Sequence, residues 1–495
     1  MTEPVEHFVP PASPAMPADR ARLRLPQRLN LLALPWLLAA CSQLPHYQRP
    51  AVTLPAQWPA SGALQATAVP VDNGDWADYF SDARLQPLIA QALANNRDLR
   101  VTALKVEQAR AQFQISRANQ WPALNAVAGG SRAPMVTAMG TVQGSSYSVG
   151  LTVTAFELDF FGRVASLKEQ ALAQYLGSTQ AYESARLSLI ASVATGWLTL
   201  LADEAQLALL RETMLNLEAT LQLTQRAVRH GTRPQQDLLQ AESQAQAARA
   251  ALAQGELQRQ RDENALQLLL GLPDSVPLHD SLDASTLDVS PWADLAPDLP
   301  SELLLRRPDV AQAEQSLIAA NANVGAARAA LFPRISLTAG ISSLSPQLSG
   351  LFKSGSQGFT LAPQASLPLW DAGQSRAQVE ASKAGRDIAT AQYEKAIHSA
   401  FREVADALAQ RQAVIQQLDA AERQAAAAQA QAKLAQRSLE MGASSRLDWL
   451  ASQRNWLSQK QQRVQAQLNR LQNQVSVYLV LGGHWRGDRS PSGPT

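Results

Sequence analysis

The chain has 495 residues, and its 43 basic and 42 acidic side chains leave a formal net charge of +1. This balance excludes a protein that binds nucleic acid through a strongly basic surface. Hydrophobic residues make up 46% of the chain and aromatic residues only 5%, and its abundant alanine favours long packed helices over a thick globular core. Beyond the N-terminus no apolar run reaches the ~18–20 residues of a membrane-spanning helix, so such a chain crosses a membrane only as a β-barrel.

The N-terminal segment has the pattern of a secretory signal. Four arginines between residues 20 and 28 precede an apolar run over 29–38, and the small residues Ala39 and Ala40 follow. A basic segment, a short apolar segment and small residues before a cleavage site are typical of such signals. We therefore predict a signal peptide over residues 1–40.

Cys41 is the only cysteine of the chain. With the three preceding residues it forms the sequence LAAC, which resembles a bacterial lipobox and predicts that Cys41 carries palmitate or a similar lipid. Ser42 follows, and the lack of an aspartate there favours the outer membrane. The Pro- and Ala-rich residues 41–75 are predicted to form a lipid-anchored, extended tether. The alternative is a buried free cysteine behind an ordinary signal.

Residues 76–272 show two successive periodicities. Between Tyr147 and Ala155 apolar and polar side chains alternate, as in a β-strand, and from Val164 apolar residues recur every three or four positions, as in a helix. The predicted elements, in chain order, are a helix over 85–120, a weak strand over 124–131, a loop over 132–145, the strand from Tyr147, a long helix to Arg229, a turn over 230–234 and a return helix ending at Leu270.

The same succession recurs 211 residues later. Gly162 corresponds to Gly373, and further pairs with the same offset are Tyr182 and Tyr393, Gly231 and Gly442, Asp237 and Asp448, and Gly271 and Gly482. This register indicates an internal duplication. Residues 76–272 form the predicted first repeat, 273–300 a linker, 301–482 the second repeat and 483–495 a disordered tail. The second repeat is predicted to contain a helix over 302–331, strands over 335–343 and 359–369, and helices over 374–440 and 446–481.

Aromatic side chains fall where the predicted strands meet the helices. On an up-and-down sheet these points lie at one level, and an aromatic girdle at one end of lipid-facing strands marks a membrane interface. The alternative is an amphipathic sheet over a soluble core. The predicted interface residues are Trp121, Phe156, Phe160, Phe161, Phe332 and Trp370.

Four strands per chain do not close a barrel, because about eight is the practical minimum. Open sheet edges in lipid leave backbone groups unpaired at a cost of several kcal/mol each, so the chain is predicted to oligomerise. The long helices lead to the same conclusion. Their predicted length is roughly 100 Å, and their small apolar side chains require helical neighbours on both sides.

This duplicated order of elements resembles the TolC family of outer-membrane efflux channels, in the lipoprotein branch with OprM-like and NodT-like proteins. The resemblance covers residues 57–482, and the motifs that carry it are WADYF at 76–80, FELDFFGR at 156–163, RPDV at 307–310, ALFP at 330–333 and LPLWDAG at 367–373. Phe156 stands where the family usually has tryptophan.

The resemblance implies a mostly α-helical fold with a small β part. A homotrimer would form a 12-stranded transmembrane β-barrel, with four strands per chain, on a long α-helical barrel, and the linker would lie in an equatorial region. Such a channel is the passive exit duct of a tripartite efflux system and extends from the outer membrane into the periplasm. Its partners would be a periplasmic adaptor and an inner-membrane pump of the RND type.

The resemblance also implies roles for residues at the helix turns. Adaptor docking falls on Gly231, Thr232, Gly442 and Ala443. The pore constriction would lie at Leu447 and Asp448. A further acidic position of the family is Ala451 here, so the electrostatic part of the constriction is expected to be weaker and Leu447 to contribute most of it. The alternatives are ordinary hairpin turns and, for Asp448, a first-turn aspartate stabilised by the helix dipole, which its counterpart Asp237 fits equally well.

An enzyme finds no support in the residue pattern. The six histidines show no metal-ligand spacing, and no glycine-rich phosphate loop occurs, so neither a metal nor a cofactor is predicted. Two other functions stay open. One is the outer-membrane duct of a type I secretion system, and the other is a lipid-anchored coiled-coil scaffold, which the alternating strands disfavour.

Overall fold

The computed structural model describes residues 43–51, 76–137, 140–272, 292 and 301–483. The predicted signal peptide, Cys41, most of the tether, the linker except Trp292 and the tail beyond Gly483 lie outside these residues.

Long helices dominate the described chain. The helices are α1 Trp76–Tyr79, α2 Leu85–Asn95, α3 Arg97–Ala118, α4 Arg163–Arg229, α5 Gln235–Leu270, α6 Pro308–Ala329, α7 Gln374–Glu440 and α8 Arg446–Val480, with a short 3₁₀ helix at Ser301–Arg306. The strands are β1 Leu124–Thr137, β2 Gly140–Leu158, β3 Arg334–Ser345 and β4 Gln357–Ser366.

The helix lengths agree with a duplicated chain. Helices α4 and α7 have 67 residues each, α3 and α6 have 22 each, and α5 and α8 have 36 and 35. Each 67-residue helix begins directly after a glycine with a positive φ, Gly162 at 78° and Gly373 at 89°, a conformation that glycine adopts without steric cost. The chain therefore turns from strand to helix in the same way in both repeats.

The predicted helix over 85–120 is interrupted at Asn96. The Asn96 side chain accepts a hydrogen bond from the backbone N–H of Leu99 at 2.9 Å and donates one to the carbonyl oxygen of Leu269. Asn96 is thus the N-cap of α3, and α2 ends before it. In the second repeat Arg307 is extended and Pro308 begins α6, so the predicted helix over 302–331 is also divided.

The four strands form one antiparallel sheet in the order β1-β2-β3-β4. Leu151 lies opposite Ile341, and Thr152 opposite Gly340, so one face of the sheet is apolar and the other is polar and rich in glycine and serine. The predicted loop over 132–145 is wrong for most of its length. Its Gly-, Ser- and Met-rich sequence extends β1 to Thr137 and starts β2 at Gly140.

A β-bulge interrupts β2 between Val153 and Phe156. Ala155 has φ 50°, and its N–H donates to Oγ1 of Thr338 at 3.1 Å. The extra residue places Phe156 opposite Leu337, so Phe156 continues the apolar face where the alternation had predicted Ala155.

The main helical core lies where α1, α2, α4, α5 and α8 meet. Trp197 on α4 is completely buried there, and Phe80 packs edge-to-face against Trp292 with ring centroids 4.9 Å apart. A second cluster joins α6 to α7 around Tyr393. Helix α4 contains an 18-residue stretch apolar enough to span a membrane, contrary to the sequence expectation, but 56% of that stretch is buried in the protein. It is the core helix of this bundle.

Candidate functional site

The two helix turns have the same hydrogen-bonded geometry. After α4, the N–H of Gly231 donates to the carbonyl of Val228 and the N–H of Thr232 to that of Ala227. After α7, the N–H groups of Gly442 and Ala443 repeat this pattern on Leu439 and Ser438. Both turns are Schellman motifs, in which a glycine with positive φ closes the helix. All four predicted docking residues, Gly231, Thr232, Gly442 and Ala443, are exposed.

Asp448 forms a capping box with Ser445 at the start of α8. The Asp448 N–H donates to Oγ of Ser445 at 3.2 Å, while the backbone N–H and the hydroxyl of Ser445 donate to Oδ2 of Asp448 at 3.1 and 2.6 Å. These bonds from Ser445 lower the pKa of Asp448, with a smaller effect from the positive charge of Arg233. The structure thus gives Asp448 a local role in starting its helix.

Leu447 and Asp448 differ in exposure. Leu447 is half-buried, and Asp448 is exposed, as is Ala451 one turn later. Asp237, the counterpart of Asp448 in the first repeat, pairs with Arg233 at 3.1 Å instead of forming a capping box. The two hairpins therefore begin their return helices by different means although their turns are alike.

A polar contact between α4 and α8 was not predicted from the sequence. Nη1 of Arg454 donates to Oδ1 of Asn216 at 3.2 Å and to Oγ1 of Thr220 at 3.1 Å. Burial lowers the pKa of Arg454. Because Arg454 lies less than two turns beyond Leu447, this contact ties the start of α8 to α4.

At the other end of α4, aromatic side chains surround the junction of sheet and helices. Phe161 and Phe332 stack with ring centroids 4.8 Å apart, whereas Trp121 and Trp370 are 74% and 88% exposed. Beside them, Glu157 accepts from both Arg163 and Arg334, with closest N–O distances of 2.7 Å. The junction therefore has an ion-paired interior and an exposed aromatic rim.

Comparison with known proteins identifies this architecture. A model of the family described as outer membrane efflux protein matches residues 88–272 and again residues 299–483. The two matches cover most of the chain and are themselves displaced by the offset of the duplication. The chain belongs to the outer membrane efflux protein family.

Relatives with known names support the assignment. The probable efflux pump outer membrane protein TtgC of Pseudomonas putida is 42% identical over 397 residues, which cover 79% of this chain and 81% of TtgC. The outer membrane protein OprJ of Pseudomonas aeruginosa is 41% identical over 391 residues, covering 77% and 80% of the two chains.

A solved structure confirms the fold. The open state of the MtrE outer membrane channel of Neisseria gonorrhoeae superposes with a TM-score of 0.77 at 35% identity, covering 90% of this chain and 98% of MtrE. The predicted TolC-like fold, an outer-membrane efflux function and an outer-membrane location are thereby confirmed. Family membership also gives no indication of an enzyme, and no cluster of metal-ligating side chains occurs in the described part of the chain.

In this efflux protein, residues 43–51 pack against the second repeat. The Tyr47 hydroxyl donates to Oε1 of Glu314 at 3.0 Å, and Arg49 forms a bidentate ion pair with the same carboxylate at 2.7 Å. Further along α6, the amide of Asn321 donates to the carbonyl of Pro45. Nothing in the local sequence signals these contacts, because they join residues more than 260 positions apart.

The efflux protein also contains an acidic cluster between α4 and α5. Burial, and then the adjacent Asp262, raise the pKa of Asp203 to about 7. Beside this pair, Arg259 bonds to Glu204 and, at 3.0 Å, to Glu263. The cluster therefore gathers four carboxyl groups around Arg259, and protonation of Asp203 relieves their repulsion.

Proposed function

We propose that this efflux protein is the exit duct of a tripartite efflux system and works as a homotrimer. A periplasmic adaptor and an inner-membrane pump of the RND type deliver substrates to it, and the duct conducts them passively across the periplasm and the outer membrane. This role is supported by relatives that are named as outer membrane proteins of efflux pumps.

The trimer is supported by the relation between the two repeats. The sheet ends at β1 and β4, whose outer edges have no partner in the described chain. The offset of 211 residues relates β1 to β3 and β2 to β4. Pairing of β4 with β1 of another chain would therefore repeat the observed β2–β3 contact, and three chains would close a 12-stranded barrel.

The same reasoning applies to the helices. The contact of α4 with α6 inside the chain would have its counterpart in a contact of α7 with α3 of the next chain. Val101, Leu104 and Ile115 on α3 are each at least half exposed, although they are apolar. Such side chains need a partner, and α7 of a second copy fits them.

Leu447 and Asp448 form the proposed constriction. Threefold symmetry would bring three copies of each residue near one axis, where apolar side chains resist wetting and carboxylates disfavour anions. The adaptor would dock on Gly231, Thr232, Gly442 and Ala443, and the neighbouring Met441, 76% exposed, offers an adaptable apolar contact. Cys41 would carry the lipid. Residues 41–75 would form the tether, and residues 273–300 would form the equatorial linker between the two repeats.

Site-specific crosslinking tests this assembly. A photoreactive residue at Ala443, in cells that contain the pump and adaptor, should crosslink to the adaptor, whereas the same residue at the exposed Arg402 in the middle of α7 should not. Ala443→Arg should abolish export of a fluorescent dye while trimer levels stay normal. Normal dye export by that variant, together with equal crosslinking at both positions, would contradict docking at the turns.

A further inference from the structure

The connection between β3 and β4 folds over the apolar face of the sheet. Ser343 belongs to that face, and its hydroxyl donates to the carbonyl oxygen of Leu351 and lies 2.8 Å from Oγ of Ser356. The Ser356 hydroxyl in turn lies 3.0 Å from the same carbonyl. Ser343 and Ser345 are buried beneath this connection. The loop is therefore held in a fixed position against the membrane-facing side of β3.

Two large apolar side chains point away from this ordered loop. Phe352 is 83% exposed and Leu348 is 67% exposed, whereas Leu351 between them is buried. Phe352 overhangs a groove of about 510 Å³ on the sheet. On the apolar face, the groove is lined mainly by Ala126, Ala128, Val149, Leu151 and Ile341. An apolar groove with an exposed phenylalanine at its rim suits an acyl chain.

The groove lies toward the outer leaflet. The helices extend from the opposite end of the strands, where Phe332 and Trp370 mark the periplasmic interface. The ten residues of β4 span ~33 Å, and a tilt of ~40° reduces this to the ~25 Å height of an outer-membrane apolar band. Phe352 lies in the connection beyond the far end of β4 and therefore at the extracellular interface.

The charges at this interface have one sign. Residues 121–156 and 335–366 contain two charged side chains, Arg132 and Lys353, and no carboxylate. Arg132 is exposed and lies on the apolar face of β1, because it is two residues beyond Gly130, which is opposite Tyr147 on that face. Lys353 directly follows Phe352 in the loop. The extracellular rim thus presents two cations per chain next to the groove.

We propose that the groove and its rim bind lipid A, the phosphorylated, multiply acylated glycolipid of bacterial outer leaflets. One acyl chain lies on Leu151 and Ile341 beneath Phe352, and the phosphates pair with Lys353 and Arg132. Lipid A fits this site because two features occur together. The groove is continuous with the lipid-facing side of the sheet, and two cations without a carboxylate partner among the described residues lie at the height of the lipid headgroups.

Lipid binding to the purified full-length trimer tests this site. Native mass spectrometry would compare the lipid A and phosphatidylglycerol retained by the wild type, Phe352→Ser and the double variant Arg132→Gln/Lys353→Gln. We expect a preference for lipid A in the wild type and affinity about thirtyfold weaker in the double variant. Phe352→Ser should weaken binding of both lipids.

Matched controls separate this site from general detergent or lipid contacts. Trp370→Ser removes an equally exposed aromatic at the periplasmic rim, and Lys433→Gln removes an exposed cation on α7; both should retain lipid A like the wild type. Phe352 and Lys353 lie on an exposed loop, and the heat-resistant trimer band reports whether each variant assembles. Equal binding of lipid A and phosphatidylglycerol, or unchanged binding by the double variant, would overturn the proposal.

Discussion

At the scale of single residues, Asp448 combines a local and a proposed functional role. Its carboxylate oxygen Oδ2 accepts the hydrogen bonds from Ser445 that cap α8. The side chain is also exposed, so its charge can act on ions in the proposed constriction. These roles make different demands, because the cap needs the hydrogen bonds of Ser445 whereas a constriction needs only side-chain volume and charge. Substitutions at Ser445 and at Asp448 therefore distinguish the capping role from the role in the constriction.

We expect Leu447→Ala/Asp448→Ala to give a leaky channel in planar bilayers without adaptor, because both the apolar ring and the charge are removed. Gln236→Ala/Asp237→Ala, the matched change in the first repeat, should have less effect. Ser445→Ala removes the cap acceptor and keeps the carboxylate, so its conductance should stay close to that of the wild type. Leakage from Ser445→Ala equal to that of the double variant would assign the effect to fraying of α8.

A second prediction at this scale concerns Asp203. Its folded-state pKa of about 7 exceeds the ordinary value of 3.8, so the folded protein binds this proton more tightly than the unfolded chain. The resulting stabilisation is complete below about pH 4 and is lost as the pH rises through 7. We expect amide hydrogen exchange in α4 and α5 around Asp203 to quicken between pH 5 and pH 8, after correction for intrinsic rates.

Asp203→Asn should remove this pH dependence, since the amide side chain of that variant does not titrate, whereas Asp387→Asn on the exposed face of α7 should leave it intact. A pH dependence that persists in Asp203→Asn would place the responsible group elsewhere.

At the scale of elements, the sheet register decides which side chains meet lipid. Leu151 lies on the apolar face and Thr152 on the polar face. We expect Leu151→Arg to lower the free energy of unfolding by ~2–4 kcal/mol if it lies near the bilayer midplane, because the charge enters hydrocarbon. Thr152→Arg places its charge in the lumen and should be tolerated. Urea-induced unfolding in lipid vesicles measures both, and the reverse order of stabilities would show that the face assignment is inverted.

The elements also show what could be predicted from sequence. Both 67-residue helices were predicted because each starts at a glycine and continues without proline. The interruption at Asn96 was missed, since it depends on a bond to Leu269 at the far end of the repeat. The bulge at Ala155 was missed because alternation does not register an inserted residue. At the hairpin ends, the sequence predicted the two turns and the first-turn position of Asp448, whereas its role in a constriction stays a prediction. The contact of Arg454 was not predicted, because its partners lie 234 or more residues away.

At the scale of the whole molecule, Glu314 joins the N-terminal segment to the second repeat. In Glu314→Ala, Tyr47 and Arg49 lose their shared acceptor, and we expect faster chymotrypsin cleavage after Tyr47 in the assembled trimer. Glu380→Ala, which removes an exposed carboxylate paired with Lys383, should be cleaved like the wild type. Equal cleavage rates in all three proteins would show that other contacts hold the segment.

The attachment of residues 43–51 has a consequence for the ancestry of the chain. At the positions equivalent to Glu314 and Asn321, the first repeat has Ala103 and Arg110, so it lacks the carboxylate and the amide that hold the segment on the second repeat. On the proposed trimer, an ancestor with a single repeat would have assembled as a hexamer that offered six identical helix surfaces to such a segment. On this hypothesis α6 specialised after gene fusion, and a half-length ancestral reconstruction should form sixfold rings in which all six of these surfaces are alike.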